Sequence, residues 1–381
     1  RRYRSALPRH SVHSASPPED IARIPLLARE DLKRETAPVY NKEEKLGDTF
    51  VLHHDIFTNG IGYFRLVFRV KDIPEAYFPY LGILKNVYCQ MNTANYTYGE
   101  LCNEINLATG EIFVAQNNYG SAVKEGHYTM TMEICTKALY ENLPRALELM
   151  EELILATDVT DTRRLKEILA ENNSRTQEYM QSAGHAVAAG RALSYGSAKG
   201  AAEEMLSGID QYRLSCGLEK EFEDRKEELV EKLQALSRMI FRPENLMIDF
   251  TGDLEALKKL EEPVASLKSR LYTCEVERQA YAPVPCKKNE GFTTPGQVDF
   301  VCRAGNFKKK GLPYTGALTV LRVMLGYEYL WVNVRVKGGA YGCMCGFYRD
   351  GDGYFCSYRD PNLGQTVDVF EKAADFIANY E

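Results

Sequence analysis

An arginine, a tyrosine and two adjacent glycines stand close together in residues 331–342, whose sequence is Trp-Val-Asn-Val-Arg-Val-Lys-Gly-Gly-Ala-Tyr-Gly. Arg335 offers a rigid charged fork of donors and Tyr341 a neutral hydroxyl. A tight bend at Gly338 and Gly339 would bring both to a peptide carbonyl and to the charge that it develops. The glycines would also let a substrate backbone come close. Composition alone favours the structural alternative, in which Arg335 and Tyr341 cap a turn between helix and strand.

The histidines and cysteines do not form a metal-binding pattern. The six histidines contain neither a His-Glu-x-x-His motif nor the inverted His-x-x-Glu-His. His53 and His54 are neighbours, and adjacent strand residues point to opposite faces, which favours a packed or hydrogen-bonded structural pair. Cys343 and Cys345 would share a strand face, with no second pair and no neighbouring histidine. The sequence therefore predicts no metal and no cofactor in this chain.

A serine and a lysine give a weak signal for a serine hydrolase. Ser121 and Lys124, with the later Lys-Gly-Gly at 337–339, bear a faint similarity to penicillin-recognising enzymes. In those enzymes the serine starts a helix and a Ser-Asp-Asn element lies between. Here Ser121 is predicted to lie in a Gly-flanked hairpin loop, and no Ser-Asp-Asn occurs. This third alternative predicts labelling of Ser121 by an active-site-directed probe.

The bulk composition is that of an ordinary globular protein. The 381 residues carry a formal net charge of −6, so the chain lacks the basic balance of a nucleic-acid binder. No apolar run approaches the roughly 18 residues of a membrane-spanning helix. The ten cysteines are scattered, as reduced thiols are in the cytoplasm or an organellar matrix. We therefore expect a cytoplasmic or organellar-matrix protein with neither nucleic acid nor membrane as partner.

The chain divides into four parts by composition. Residues 1–38 are predicted to be a polar connector, 39–267 a first domain, 268–296 a Pro- and Gly-containing linker, and 297–381 a second domain. Both domains follow the same order of helix, turn, strand, hairpin and helix. The repeat predicts an α+β fold of tandem homologous domains, each a mainly antiparallel sheet with helices packed on one side.

The local patterns also make predictions about single elements. The second domain stops at Glu381 inside a helical pattern, so we expect it to be truncated and to lack the helices that cover its sheet. The other predicted elements used below are a hairpin turn at Thr58-Asn59-Gly60 between strands 49–56 and 61–70, a helix over 137–156, a helix over 314–330, and a hairpin turn at 350–353 between strands 341–348 and 353–358.

The segment Arg-Val-Lys-Gly-Gly-Ala-Tyr-Gly at 335–342 resembles the C-terminal-half signature of pitrilysin-type zinc metallopeptidases, the relatives of insulin-degrading enzyme. The branch that it resembles is that of presequence protease and falcilysin. Supporting resemblances, each of moderate specificity, lie in residues 24–31, 57–63, 103–111 and 197–200. Together with 335–342 they are spread along nearly the whole chain.

This resemblance implies four homologous domains in two bowl-like halves that close around an unstructured oligopeptide. The chain is similar to the third domain and the start of the fourth. Arg335 and Tyr341 would then be its catalytic contributors, and Gly338 and Gly339 would join them in binding substrate. No zinc ligand or glutamate base is present. Zinc is therefore expected in the missing N-terminal half of the same polypeptide, the chain's partner, and the chain alone is expected to be inactive.

A non-catalytic structural or partner protein of the same fold, like the core subunits of respiratory complexes, is the alternative function. The two functions differ in whether an arginine and a tyrosine are retained at the signature. Both Arg335 and Tyr341 are present, which favours the endopeptidase.

Overall fold

A six-stranded mixed sheet is the largest element of the computed structural model, which describes residues 18–35 and 37–380. Its strand order is β1-β2-β6-β3-β5-β4, with β2 parallel to β6 and the other neighbours antiparallel. The strands are β1 (Lys42–Leu46), β2 (Thr49–His54), β3 (Ile61–Val70), β4 (Glu111–Gly120), β5 (Tyr128–Leu139) and β6 (Leu246–Thr251).

The predicted hairpin between β2 and β3 is wrong, although its turn is present. Asn59 and Gly60 have positive φ angles of 54° and 84°, and the Ile61 N–H donates to the Thr58 carbonyl at 3.2 Å. However, β6 lies between the two strands and pairs with both. A turn reverses the chain locally, but it does not decide which strand fills the space between its arms.

Helices cover one face of this sheet. They are α2 (Leu81–Val87), α3 (Tyr98–Ala108), α4 (Leu143–Ala156), α5 (Thr162–Ser182), α6 (Gly184–Ser194), α7 (Ala198–Ser207), α8 (Ile209–Lys220), α9 (Phe222–Ile240), α10 (Leu254–Lys258) and α11 (Glu261–Arg270), after a first short helix α1 (Pro18–Ile21). Single 3-10 turns occur at Arg29–Asp31, Phe78–Tyr80, Tyr140–Asn142, Pro243–Asn245 and Lys308–Lys310. Helix α4 begins six residues later than predicted, because residues 137–139 pair with β3.

The alternation of β3 separates an apolar face under the helices from a more polar face. Phe64, Leu66 and Phe68 are buried under the helices, whereas Tyr63 and Arg65 point to the opposite, polar face. Burial of such side chains contributes about 1.5–3 kcal/mol each. The predicted α+β class with helices on one side of the sheet is therefore confirmed for this sheet.

A second sheet of three antiparallel strands has the order β7-β9-β8. The strands are β7 (Cys302–Asn306), β8 (Gly342–Phe347) and β9 (Asp352–Tyr358), and the helices of this part are α12 (Ala317–Met324), a π-helix (Leu325–Lys337), α13 (Leu363–Glu371) and α14 (Ala373–Ala378). The predicted β8–β9 hairpin is confirmed, with Gly351 at φ 99° in its turn. The predicted helix 314–330 continues to Lys337, so Arg335 is helical.

The second sheet has its own core but is covered on both faces. Phe355 stacks on Phe370 of α13 at 5.6 Å between ring centroids. On the other face, Tyr358 packs edge-on against His185 of α6 at 4.8 Å, and the Cys356 thiol donates to the His185 carbonyl at 3.4 Å. The truncation of this part of the chain stays a prediction, and in the structure α6, which comes from the preceding part of the chain, covers the face opposite α13.

The chain divides after Tyr40 into two compact units, Arg1–Tyr40 and Asn41–Glu381. The predicted connector 1–38 falls in the first unit, and its first 17 residues, with His10 and His13, lie outside the described residues, as do Thr36 and Glu381. The domain boundaries at 267 and 297 stay predictions, since both sheets belong to the second unit. Within the part of the chain that is described, no helix is long and apolar enough to cross a membrane.

Candidate functional site

The last turn of the π-helix places Arg335 over two aromatic rings. Its guanidinium carbon lies 3.9 Å from the centroid of the Trp331 ring and 5.6 Å from that of Tyr341. Trp331 stands four residues earlier in the same helix, so the stacking follows from helical spacing. A π-helix is rare in proteins and occurs often at functional sites.

The Gly-Gly turn ends the helix, and a side chain would be unfavourable at both of its positions. The Gly339 N–H donates to the Arg335 carbonyl at 2.9 Å, and the Ala340 N–H to the Val334 carbonyl at 3.1 Å. A Cβ on Gly338 would lie 2.5 Å from the Val334 carbonyl oxygen. Gly339 has a φ of +80°, which other residues adopt at a cost of about 1–2 kcal/mol. The turn therefore fixes the angle between helix and strand.

Tyr341 is held by its backbone while its side chain points outward. Its N–H donates to the carbonyls of Tyr358 and Arg359, at 3.1 and 3.2 Å. Its ring packs edge-on against Tyr358 at 5.9 Å, yet 66% of the residue is exposed. The predicted convergence of Arg335 and Tyr341 across the Gly bend is thus what the structure shows. We call these two side chains, with Trp331, the signature corner.

The polar groups of the signature corner have no acceptor in the described structure. Among residues 18–35 and 37–380, no carboxylate pairs with Arg335 and no group bonds to the Tyr341 hydroxyl. Donors left open side by side can bind the oxygens of a ligand. Burial raises the pKa of the nearby Cys343 thiol to about 11, against the opposing effect of Arg335, which disfavours the nucleophilic thiolate form.

Sequence reasoning missed the residues that brace the turn from behind. The Asn362 side chain donates to the Gly338 carbonyl. Asp360 is fully buried and accepts from the Thr366 hydroxyl at 2.6 Å and the Asn362 N–H at 2.9 Å. The signal that could have found them is the polar run Asp360-Pro361-Asn362 just before a helical pattern, since Asp and Asn are favoured next to helix starts.

The other predicted candidates have structural surroundings. His53 is buried with Nε2 2.8 Å from the Gly252 carbonyl, and His54 lies on the other strand face, 3.2 Å from Asp249. The Ser121 hydroxyl accepts from the backbone N–H of Val123 and Lys124, as a turn-forming serine does. Among the described residues no group of three or more His, Cys, Asp or Glu side chains could hold a metal ion.

The polar face of the first sheet carries a second cluster of polar side chains that the sequence did not reveal. Glu133 is 1% exposed and accepts from the Thr131 hydroxyl at 2.7 Å and the Tyr119 hydroxyl at 3.0 Å. Arg65 lies 3.8 Å from its second carboxylate oxygen. The signal was a threonine and a glutamate at alternate positions of an otherwise apolar strand, which places both on one face.

The Ser197-Ala198-Lys199-Gly200 segment joins the two sheets. The Ser197 hydroxyl caps α7 by accepting from the Gly200 N–H at 3.0 Å and donates to Asp352 at 2.9 Å. Lys199 pairs with Asp350 at 3.0 Å. Burial raises the pKa of Asp352. Both carboxylates belong to the β8–β9 hairpin, so the segment holds that hairpin against α7.

Two protein-family models match parts of this chain. The model of the peptidase-associated domain of the M16 family, subfamily C, matches residues 9–218. The model described as PreP C-terminal domain matches residues 289–381. The second match contains the whole signature corner.

Individual proteins agree with the family models. The chain is 35% identical to Protein HypA of Clostridium perfringens, over 95% of this chain and 37% of that protein. It is 27% identical to Presequence protease 1, chloroplastic/mitochondrial, of Arabidopsis thaliana, over 95% of this chain and 34% of that one. The chain thus spans little more than a third of these relatives.

Solved structures show the same fold. The peptidase M16 inactive domain from Pseudomonas fluorescens superposes with a TM-score of 0.57 at 16% identity, over 91% of this chain and 80% of that one. At this identity the likeness concerns the fold alone.

Proposed function

Because this chain belongs to the peptidase-associated family of M16 subfamily C, we propose that it is a fragment of the C-terminal, substrate-holding half of a zinc metalloendopeptidase that degrades unstructured oligopeptides. The matched regions are those of presequence-protease-like M16 peptidases. The observation that carries the proposal is the signature corner, where Arg335 and the exposed Tyr341 present donors that have no acceptor among the described residues.

The chemistry of these two residues suits a peptide carbonyl under attack. The carbonyl oxygen gains negative charge in the transition state, and donors fixed beforehand stabilise that charge. Stacking on Trp331 holds the Arg335 guanidinium in place without neutralising it. Tyr341 adds a neutral hydroxyl, and the glycine turn leaves room for a substrate backbone. In this proposal Arg335, Tyr341, Gly338 and Gly339 bind the peptide around its scissile bond.

The described residues do not fit a zinc ion, because no cluster of ligating side chains exists among them. In the proposal zinc is held by the N-terminal half of the same polypeptide, and this chain by itself hydrolyses nothing. In the proposal this chain orients the substrate. The signature corner binds the peptide, and the polar face of the first sheet forms part of the chamber wall.

The relatives' names suggest the substrate class and compartment. One relative is named as a presequence protease of chloroplasts and mitochondria. By analogy with this relative, we propose an unstructured peptide as the substrate, and the cytoplasm or an organellar matrix as the location.

The proposal is tested by Arg335→Ala and Tyr341→Phe in the full-length parent enzyme. Loss of one such donor slows turnover by roughly 10²–10³-fold. We expect that loss in kcat on a long unstructured peptide, with unchanged zinc content and, for Arg335→Ala, only the small fall in melting temperature that follows from lost stacking on Trp331. The structural alternative, in which Arg335 and Tyr341 only cap the Gly338-Gly339 turn, predicts a lower melting temperature and unchanged turnover per folded molecule. Near-normal kcat in Tyr341→Phe would refute the assignment of Tyr341.

A further inference from the structure

A cavity of about 540 Å³ lies between the edge strand β4 and helices α2, α5, α6 and α7, away from the signature corner. Its volume is within the range of small-ligand sites. Four consecutive residues of β4, Gln116 to Tyr119, line it. Since alternate strand residues point to opposite faces, a cavity that contacts all four must wrap around the strand's edge.

The edge of β4 is available for pairing. β4 ends the strand order of the sheet, so among the described strands it has a partner, β5, on one side only. An extended peptide can bind such an edge through main-chain hydrogen bonds.

The side chains of the covered face of β4 change from apolar to polar at the cavity. Gln116 and Asn118 lie opposite Met132 and Met130, on the face that carries Ile112 under the helices. The Asn118 side-chain oxygen is buried and accepts no hydrogen bond in the described structure. A buried acceptor without a donor costs about 1–3 kcal/mol. A ligand N–H would satisfy it.

Lys85, in the last turn of α2, brings a positive charge to the same cavity. Burial lowers the pKa of its ammonium group, and no carboxylate of the described residues pairs with it. The two glutamates that line the cavity are engaged elsewhere: Glu204 pairs with Arg191 at 2.9 Å and Glu203 with Lys199 at 3.7 Å. Lys85 therefore has the charge to bind an anion.

We propose that this cavity binds the carboxyl end of a short extended peptide, with the terminal carboxylate on Lys85, a peptide N–H on Asn118, and the backbone along the edge of β4. The inference rests on the proposed function only for the ligand class, a peptide. It assigns a second peptide site that does not use Arg335 or Tyr341. Products of endopeptidase cleavage carry such a free carboxyl end.

The test uses the full 381-residue chain and two probes in calorimetric titration, an acetylated tetra-alanine with a free carboxyl end and the same peptide with a terminal amide. We expect the free acid to bind at least about tenfold more tightly, because a charge-assisted hydrogen bond is lost with the amide. Lys85→Met should make the two affinities equal. The matched control Lys124→Met, in an exposed loop, should leave the difference intact.

Asn118→Asp is a second, nearly isosteric variant that repels the carboxylate, and it should weaken the acid more than the amide. Equal binding of acid and amide by the unaltered chain, or no binding of either, would overturn the inference. So would a preference for the acid that survives Lys85→Met.

Arg335→Ala separates this inference from the proposed function. In the isolated chain that carries Arg335→Ala, addition of Lys85→Met should still abolish the preference for the acid over the amide, whatever the effect of Arg335→Ala on turnover in the parent enzyme. If Arg335→Ala instead removes the preference for the acid and Lys85→Met keeps it, the peptide lies at the signature corner and the cavity inference is wrong.

Discussion

Arg191 and Arg335 both lie over aromatic rings, but their charges meet different surroundings. Arg191 is 5% exposed, lies 5.6 Å from the Tyr195 ring and donates to three carboxylates at 2.8–3.1 Å. Arg335 lies 3.9 Å from the Trp331 ring, and no carboxylate of the described residues pairs with it. Protein carboxylates therefore surround the first arginine, whereas the second forms no ion pair with the described residues.

The partners of Arg191 give it a structural role, whereas a functional role for Arg335 is our proposal. The carboxylates around Arg191 come from α7, α8 and the predicted linker, namely Glu204, Asp210 and Glu290. Arg191 therefore stabilises the packing of segments far apart in the chain. Among the described residues Arg335 forms no such ion pairs, so it does not join distant segments in the same way.

The largest expected effect follows removal of Arg191. Arg191→Met leaves the buried Glu204 carboxylate without its partner, and breaking a buried ion pair costs about 3–5 kcal/mol. Urea unfolding of the chain should show this loss. Arg213→Met, at a position whose side chain is 61% exposed, is the control and should change stability by less than about 1 kcal/mol. Equal losses of stability in the two variants would refute the structural role assigned to Arg191.

A smaller loss is expected at the signature turn. Gly338→Ala places a Cβ 2.5 Å from the Val334 carbonyl oxygen, and such overpacking costs about 1–3 kcal/mol. Gly326→Ala, in the same π-helix with open space around its Cβ, should be neutral or stabilise by up to about 1 kcal/mol. Thermal unfolding of the two variants measures this difference. A destabilised Gly326→Ala together with a neutral Gly338→Ala would contradict the prediction.

The pH dependence of stability sharpens the comparison further. Hydrogen bonds from Arg191, and then from Tyr195, lower the pKa of Glu290 from 4.5 to about 2. A lowered carboxyl pKa stabilises the fold above the unfolded pKa, and this contribution is lost as the pH falls from 4.5 towards 2. Glu290→Gln should make the unfolding free energy less steep across that window. An unchanged slope would show that Glu290 is not held by Arg191.

The smallest expected effect on stability is that of Arg335→Ala. Without an ion pair in the described structure, its removal loses only stacking on Trp331, worth about 0.5–1 kcal/mol at an exposed site. Chemical unfolding beside Arg191→Met measures the contrast. A loss as large as that of Arg191→Met would mean that Arg335 is structural after all.

The sequence predicted what depends on neighbouring residues. The Gly338-Gly339 bend, the β8–β9 hairpin and the alternation of β3 follow from glycine conformations and from a two-residue period. The convergence of Arg335 and Tyr341 followed for the same reason, since the two residues are close in the chain. What these residues do in the parent enzyme stays a proposal.

The sequence could not predict contacts between distant segments. The insertion of β6 between β2 and β3 joins strands that lie far apart in the chain, and the Arg191–Glu290 pair joins residues 99 positions apart. The cover that α6 gives to the second sheet is of the same kind. Such contacts depend on which surfaces remain after local structure has formed, and a local pattern does not encode them.

The most direct test of the central claim combines this chain with a separately produced, zinc-bearing N-terminal half of its parent. The chain alone should not hydrolyse a long unstructured peptide, and addition of the N-terminal half should restore turnover. With Arg335→Ala in this chain, the two halves should still associate, while kcat falls by roughly 10²–10³-fold. Chelator-sensitive hydrolysis by the chain alone, or an unchanged kcat with Arg335→Ala, would contradict the account.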